Sequence, residues 1–240
     1  GRYRNVVTSL QYERMLSAPG PFGGHFNDDS DGRAPVRVAW IQCVLSRDVA
    51  RNRPFCSSVC CMHAAKQAVL TRSHLPDTET VIYFMDIRAH GKGFDDYIER
   101  ARDQHGVVYR RSMISQVYLN PQNENLIIET FDHHQNRKIE EEYDLVVLSS
   151  GFKPHEGWND LARRLELTLN PFGYLNADFD EPAATSRAGV FVCGGIETPK
   201  DIPETVVQAG AAAAEASNLL VKGRNTATVK AAPILERDID

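Results

Sequence analysis

Val36-Arg37-Val38-Ala39-Trp40-Ile41-Gln42-Cys43-Val44-Leu45-Ser46-Arg47-Asp48 is an apolar, β-rich run that ends in a cysteine and a polar loop. Behind it, residues 57–71 place Val59, Met62, Ala65 and Val69 at helical spacing, with Ser57 or Ser58 as the start signal. Strand, loop and helix in that order make the first half of a βαβ unit, so the stretch predicts a parallel, Rossmann-like α/β sheet. Nucleotide-binding strands of this type ordinarily run into G-x-G-x-x-G, and no strand of this chain does. A cysteine stands where the phosphate loop would be.

Four of the five cysteines, Cys43, Cys56, Cys60 and Cys61, fall within nineteen residues as C-x12-C-x3-C-C, and only Cys193 is remote. Four soft thiolates are the donor set of an iron-sulfur cluster or a structural zinc. The helix places Cys60 and Cys61 in its first turn, where free N-H groups and the positive end of the dipole favour thiolate. Adjacent residues diverge by about 100° around a helix, which suits a cubane with an iron for each ligand better than a single ion. Spacing leaves three readings open: a cluster, a zinc site, and buried or redox-active thiols. His63 is either a donor to cluster sulfur or a surface residue. His133-His134, Asp28-Asp29 and Glu140-Glu141-Glu142 read as solvated polar groups.

Further strands are expected at 79–87 and 107–110, a helix at 94–104, and a three-strand meander at 116–119, 125–131 and 139–143. Residues 144–151 and 189–195 are apolar runs ending in glycine, and an alanine-rich helix is expected from 203 to about 220. Gly194-Gly195, the loop Pro199-Lys200-Asp201-Ile202-Pro203 and that helix form either a flavin-binding turn or an ordinary β-loop-α unit. A helical pattern at 9–16 precedes a run of turn formers, and 223–240 is polar.

With 240 residues, 42% of them hydrophobic, the chain can build one large or two modest domains. A net charge of −5 with no basic stripe argues against nucleic acid as a partner. No apolar stretch reaches membrane-spanning length and residues 1–10 carry no signal-peptide core, which predicts a cytoplasmic protein whose thiols stay reduced.

Phe55-Cys56-Ser57-Ser58-Val59-Cys60-Cys61-Met62, Met85-Asp86-Ile87-Arg88-Ala89-His90-Gly91-Lys92-Gly93-Phe94 and Pro199-Lys200-Asp201-Ile202-Pro203-Glu204 closely resemble the A subunit of heterodisulfide reductase and its relatives, from about residue 4 to 220. The resemblance implies a two-domain, thioredoxin-reductase-like flavoprotein in which a four-iron four-sulfur cluster on Cys43, Cys56, Cys60 and Cys61 takes the position of the nicotinamide site. It implies FAD beside Gly194, Gly195, Lys200, Asp201, Ile202 and Thr205, with Lys200 and the following helix stabilising reduced flavin, and it assigns no catalytic residue. The implied organisation is a flavin-domain segment and linker at 1–34, a cluster domain at 35–143, the carboxyl part of the flavin domain at 144–222 and a tail at 223–240. The amino-terminal part of the FAD domain is expected to be absent from this chain and supplied by another chain or segment. The implied role is that of an oxidoreductase subunit, itself a homo-oligomer, relaying electrons to partner subunits that act on disulfides or sulfur compounds. Leu45 stands where the family often has glycine. The alternatives are a cluster-free thiol oxidoreductase of the pyridine-nucleotide-disulfide type and a zinc-stabilised assembly subunit.

Overall fold

The strands in chain order are β1 (Val6–Thr8), β2 (Arg37–Val44), β3 (Glu79–Phe84), β4 (Val108–Arg111), β5 (Ile114–Leu119), β6 (Leu126–Asp132), β7 (Arg137–Tyr143) and β8 (Leu145–Ser150). The helices are α1 (Ser9–Leu16), α2 (Cys60–His74), α3 (Phe94–Asp103), α4 (Gly157–Leu165) and α5 (Ile202–Val221). They belong to a computed structural model that describes residues 2–24, 34–132, 136–178 and 180–221. Residues 27–33, 133–134 and 223–240, read above as linker, polar turn and tail, lie outside the described residues.

The first unit is 1–153. Its main sheet has the order β1-β8-β2-β3-β4 with every pairing parallel. Such a sheet is covered on both faces, so its central strands read as continuous apolar runs. Val38, Ala39 and Trp40 of β2, Val81 of β3 and Val146 and Val147 of β8 have no exposed surface. One face packs on α1 and α2: Tyr12, Trp40, Ala64, Ala68, Ile82 and Val147 share a core, with the Tyr12 ring edge-on to Trp40 at 5.3 Å. The other face packs on the antiparallel sheet β5-β6-β7, through Ala39, Val81, Tyr83, Leu126, Ile128, Tyr143 and Val146.

Two expectations shift in detail. The second helix begins at Cys60, with Val59 before it making no side-chain cap. Ser57 is unavailable because its hydroxyl is bonded to Ser46, and Ser58 is left-handed at φ 62°. Strand β3 stops at Phe84, leaving Met85-Asp86-Ile87 as loop. The chain divides into two compact units after Lys153, and β8, which lies between β1 and β2 and hydrogen-bonds to both, belongs to the first.

The second unit, 154–240, contains α4, α5 and a small core of Ala162, Leu175 and Val192. The strand expected at 189–195 does not form: Phe191 makes an isolated bridge to Ala184, and Gly194–Ile196 is a short 3-10 turn. Left-handed backbone at Gly189 (φ 82°) and Gly194 (φ 76°) interrupts the extended run. Helix α4 went unrecognised in the sequence, although Trp158, Leu161, Ala162 and Leu165 have helical spacing.

Candidate metal centre

The thiol site is built by the end of β2 and the start of α2. At its end β2 shifts register between Ile41 and Val44, and three residues there adopt left-handed backbone, Cys43 (φ 60°), Leu45 (φ 60°) and Arg47 (φ 55°). Non-glycine residues rarely do so, and the conformation costs about 1–2 kcal/mol each, so the surrounding bonds must hold it. Ser46 N-H donates to the Cys43 carbonyl at 3.1 Å, Arg47 N-H to the Phe55 carbonyl at 2.9 Å, and Asp48 and Arg53 exchange backbone bonds of 2.7 and 2.9 Å. The hydroxyls of Ser46 and Ser57, both buried, bond to each other and tie the first cysteine loop to the second. Gly151, at the end of β8, closes this knot: its N-H donates to the Val44 carbonyl at 2.8 Å, and a Cβ there would collide with both serine hydroxyls.

Cys60 and Cys61 open α2 and are 4% and 7% exposed, while Cys43 and Cys56 are half-buried. Arg88 N-H donates to Cys61 Sγ at 3.5 Å, the Cys61 thiol donates to the Asp86 carbonyl at 3.9 Å, and Ser58 N-H donates to Cys56 Sγ at 3.4 Å. Burial pushes the Cys60 thiol up to about 12, reinforced by the neighbouring Cys61, Cys43 and Cys56. Burial likewise raises Cys43 and Cys61, against the pull of the Arg47 guanidinium on both and of the Arg88 amide on Cys61. The four predicted ligands therefore lie within electrostatic reach of one another, and all five cysteines are free.

No three His, Cys, Asp or Glu side chains among the described residues converge closely enough to hold one metal ion. A polynuclear cluster, in which each thiolate meets its own iron, does not need the four thiols to meet at one point, whereas tetrahedral zinc does. His63 is committed elsewhere, its Nε2 lying 3.2 Å from Glu13 and 2.9 Å from Gln67. Sequence reasoning missed Ser46, Ser57, Gly151, Asp86 and Arg88, which touch the thiols or the loops carrying them.

In the second unit, Gly194 N-H donates to Gln208 Oε1 at 2.8 Å, and its Cβ would press on Thr205, while Gly195 faces open space. Asp201 and Glu204 form a reciprocal cap of 2.8 and 2.9 Å at the start of α5. Thr205 Oγ1 donates to the Asp201 carbonyl at 2.7 Å, and Ile202 is exposed. The predicted flavin neighbours run from the 3-10 turn at Gly194 through the loop into the first turn of α5. Lys200, expected to offer its charge to flavin, is 10% exposed and donates at 2.6 Å to Glu197 and to Gln208.

No protein-family model matches the chain. Thioredoxin reductases of T. acidophilum and Lactococcus lactis share its fold, with TM-scores of 0.57 and 0.55 at 13% and 15% identity, covering 91% of this chain and 58% and 59% of theirs. Among curated proteins, one of the CoB--CoM heterodisulfide reductase iron-sulfur A subunits of Methanopyrus kandleri is 42% identical over 225 residues. The corresponding iron-sulfur polypeptide of Methanocaldococcus jannaschii is 42% identical over 226 residues, and a protein of Archaeoglobus profundus named as similar to the heterodisulfide reductase A subunit is 35% identical over 242. These alignments take in 92–93% of this chain, which spans about a third of the length of the relatives. The chain is therefore related, across nearly all of its length, to one segment of the A-subunit family of heterodisulfide reductases.

Proposed function

We propose that this chain is the cluster-bearing segment of a heterodisulfide-reductase-like electron-transfer subunit, holding a four-iron four-sulfur cluster on Cys43, Cys56, Cys60 and Cys61 and contacting FAD through 194–205. The observation that carries the reading is the gathering of four thiols at the end of β2, where a nucleotide-binding domain keeps its phosphate loop. When bound, the cluster supplies one-electron and the flavin two-electron chemistry. The chain's own residues position and shield: Ser46, Ser57 and Gly151 hold the ligand loops, the buried start of α2 excludes water from Cys60 and Cys61, and the Arg88 amide donates to Cys61 sulfur.

Around 194–205 the cap at Asp201 directs the N-terminus of α5, a place where helix N-H groups favour negative charge. Lys200, already paired with Glu197, contributes there by fixing the loop. Helix α5 buries none of its residues, and Ile202, Val206, Val207, Leu219, Leu220 and Val221 are exposed. That apolar surface supports the further reading that a separate segment or chain completes the flavin domain. The names of the relatives support partner subunits acting on a disulfide, and no described helix is long and apolar enough to cross a membrane.

Anaerobic purification with analysis of iron, sulfide, zinc and flavin tests the proposal. Near-stoichiometric iron and sulfide are expected, and Cys61→Ala should lose or convert the cluster while flavin stays bound when the complete flavin domain is present. Zinc in place of iron, or iron near zero in reconstituted protein, would overturn the cluster. Loss of flavin with iron retained would overturn the assignment of the two sites.

A further inference from the structure

Arg47 lies four residues past Cys43 in a left-handed conformation (φ 55°), and its side chain is only 22% exposed. Turning a guanidinium inward costs desolvation, which is recovered only where partners meet it. Half of this one is met: Nη2 donates to Asp86 Oδ2 at 2.9 Å. The other terminal nitrogen, Nη1, is buried and has no hydrogen-bond partner, while the guanidinium acts on the Cys43 thiol through its charge and a hydrogen bond and on the Cys61 thiol through its charge. Asp86 is itself anchored, accepting from Arg111 at 3.0 Å, and its carbonyl accepts from Cys61. A fixed cation thus stands against the ligand set with a fixed carboxylate immediately behind it.

From this arrangement, and resting on the cluster reading above, we infer that Arg47 is a positioning residue that sets the cluster's reduction potential through its permanent charge, with Asp86 offsetting part of it. Reduction adds one electron, hence one negative charge, beside the guanidinium. A nearby cation stabilises the reduced form more than the oxidised one, so its removal lowers the potential. Removing the carboxylate behind it has the opposite effect. A purely structural ion pair predicts something else: breaking it from either side loosens the same loop and shifts the potential, if at all, in the same direction.

The test is a dithionite titration of the intact, anaerobically prepared protein, with the reduced cluster followed by electron paramagnetic resonance and iron content measured in parallel. Arg47→Gln should weaken reduction by about tenfold, which is ~59 mV for one electron. Arg47→Lys should retain most of the wild-type potential, and Asp86→Asn should shift it upward. If Arg47→Gln fails to keep iron, the direction of the Asp86→Asn shift decides. Iron-loaded variants with unmoved potentials, or with shifts of the same sign, overturn the inference while leaving the cluster intact. Wild-type protein without iron overturns the cluster reading and this inference with it.

Discussion

Gly151 sits where no side chain fits: an added Cβ would run into the Ser46 and Ser57 hydroxyls and approach the Leu45 carbonyl. Gly151→Ala must therefore push apart the pair that joins the two ligand loops, at an expected cost of about 1–3 kcal/mol. Lower thermal stability together with weakened iron retention is the expected outcome, and an unchanged melting curve would show that the serine pair does not constrain the loop. Leu45 presents the reverse case. It is partly exposed and left-handed, so Leu45→Gly removes backbone strain and loses little packing. We expect a gain of about 0.5–1 kcal/mol, read from the urea midpoint.

Among the elements, α2 links the core to the thiols. Its buried face combines the unexposed Ala64, Ala65 and Ala68 with Gln67 and Thr71, and it is held down by polar bonds: Trp40 Nε1 donates to Gln67 at 3.1 Å, Gln67 Nε2 to the Ser9 carbonyl at 2.8 Å, and the Tyr12 and Thr71 hydroxyls are 2.6 Å apart. Tyr12→Phe removes one of these from a fully buried position and should cost about 1–2 kcal/mol; equilibrium denaturation with an unchanged slope is the measurement.

The element's existence and the position of Cys60 and Cys61 in its first turn were legible, because apolar spacing and helix-terminal chemistry are local. Its starting signal was misread, because Ser57 serves a partner eleven residues back, Ser46, and no local pattern reports that. The strand expected at 189–195 failed for a related reason: apolar composition marks burial, while the left-handed glycines that interrupt it are fixed by tertiary context. Cysteine spacing drew attention to four thiols and left their chemistry open, and the contacts of Asp86, Arg88 and Gly151 required the fold.

At the scale of the whole molecule, Arg37 binds the two layers of the first unit together. Its Nε donates to Glu79 at 2.7 Å and its Nη1 to the Glu142 carbonyl at 2.7 Å, and it lies over the Tyr143 ring at 4.6 Å. The hydrogen bond from Arg37 holds the Glu79 carboxyl below its ordinary range. A depressed carboxylate adds stability above its unfolded value of about 4.3, and that stability is lost as pH falls through the lower folded value. Glu79→Gln should flatten this part of the acid limb without altering the slope above pH 6, as measured by unfolding across a pH series.

Raised thiol values at Cys43, Cys60 and Cys61 carry the opposite sign for metal uptake, since each ligand must release a proton to bind. Iron incorporation during reconstitution should therefore strengthen as pH rises from 7 to 9, and a flat profile would contradict the protonated resting state.

The left-handed residues at 43, 45 and 47, fixed by main-chain bonds and a serine pair that involve no metal, also bear on the protein's repair. The entropy of arranging this mouth is spent when the polypeptide folds, so a cluster held on these thiols would enter a mould already set. On the proposed reading, a cluster dismantled by oxygen would be rebuilt on the standing protein without a round of unfolding. Cluster-free and cluster-loaded forms should accordingly share one far-ultraviolet circular dichroism spectrum, and reloading should proceed at the pace of iron and sulfide delivery.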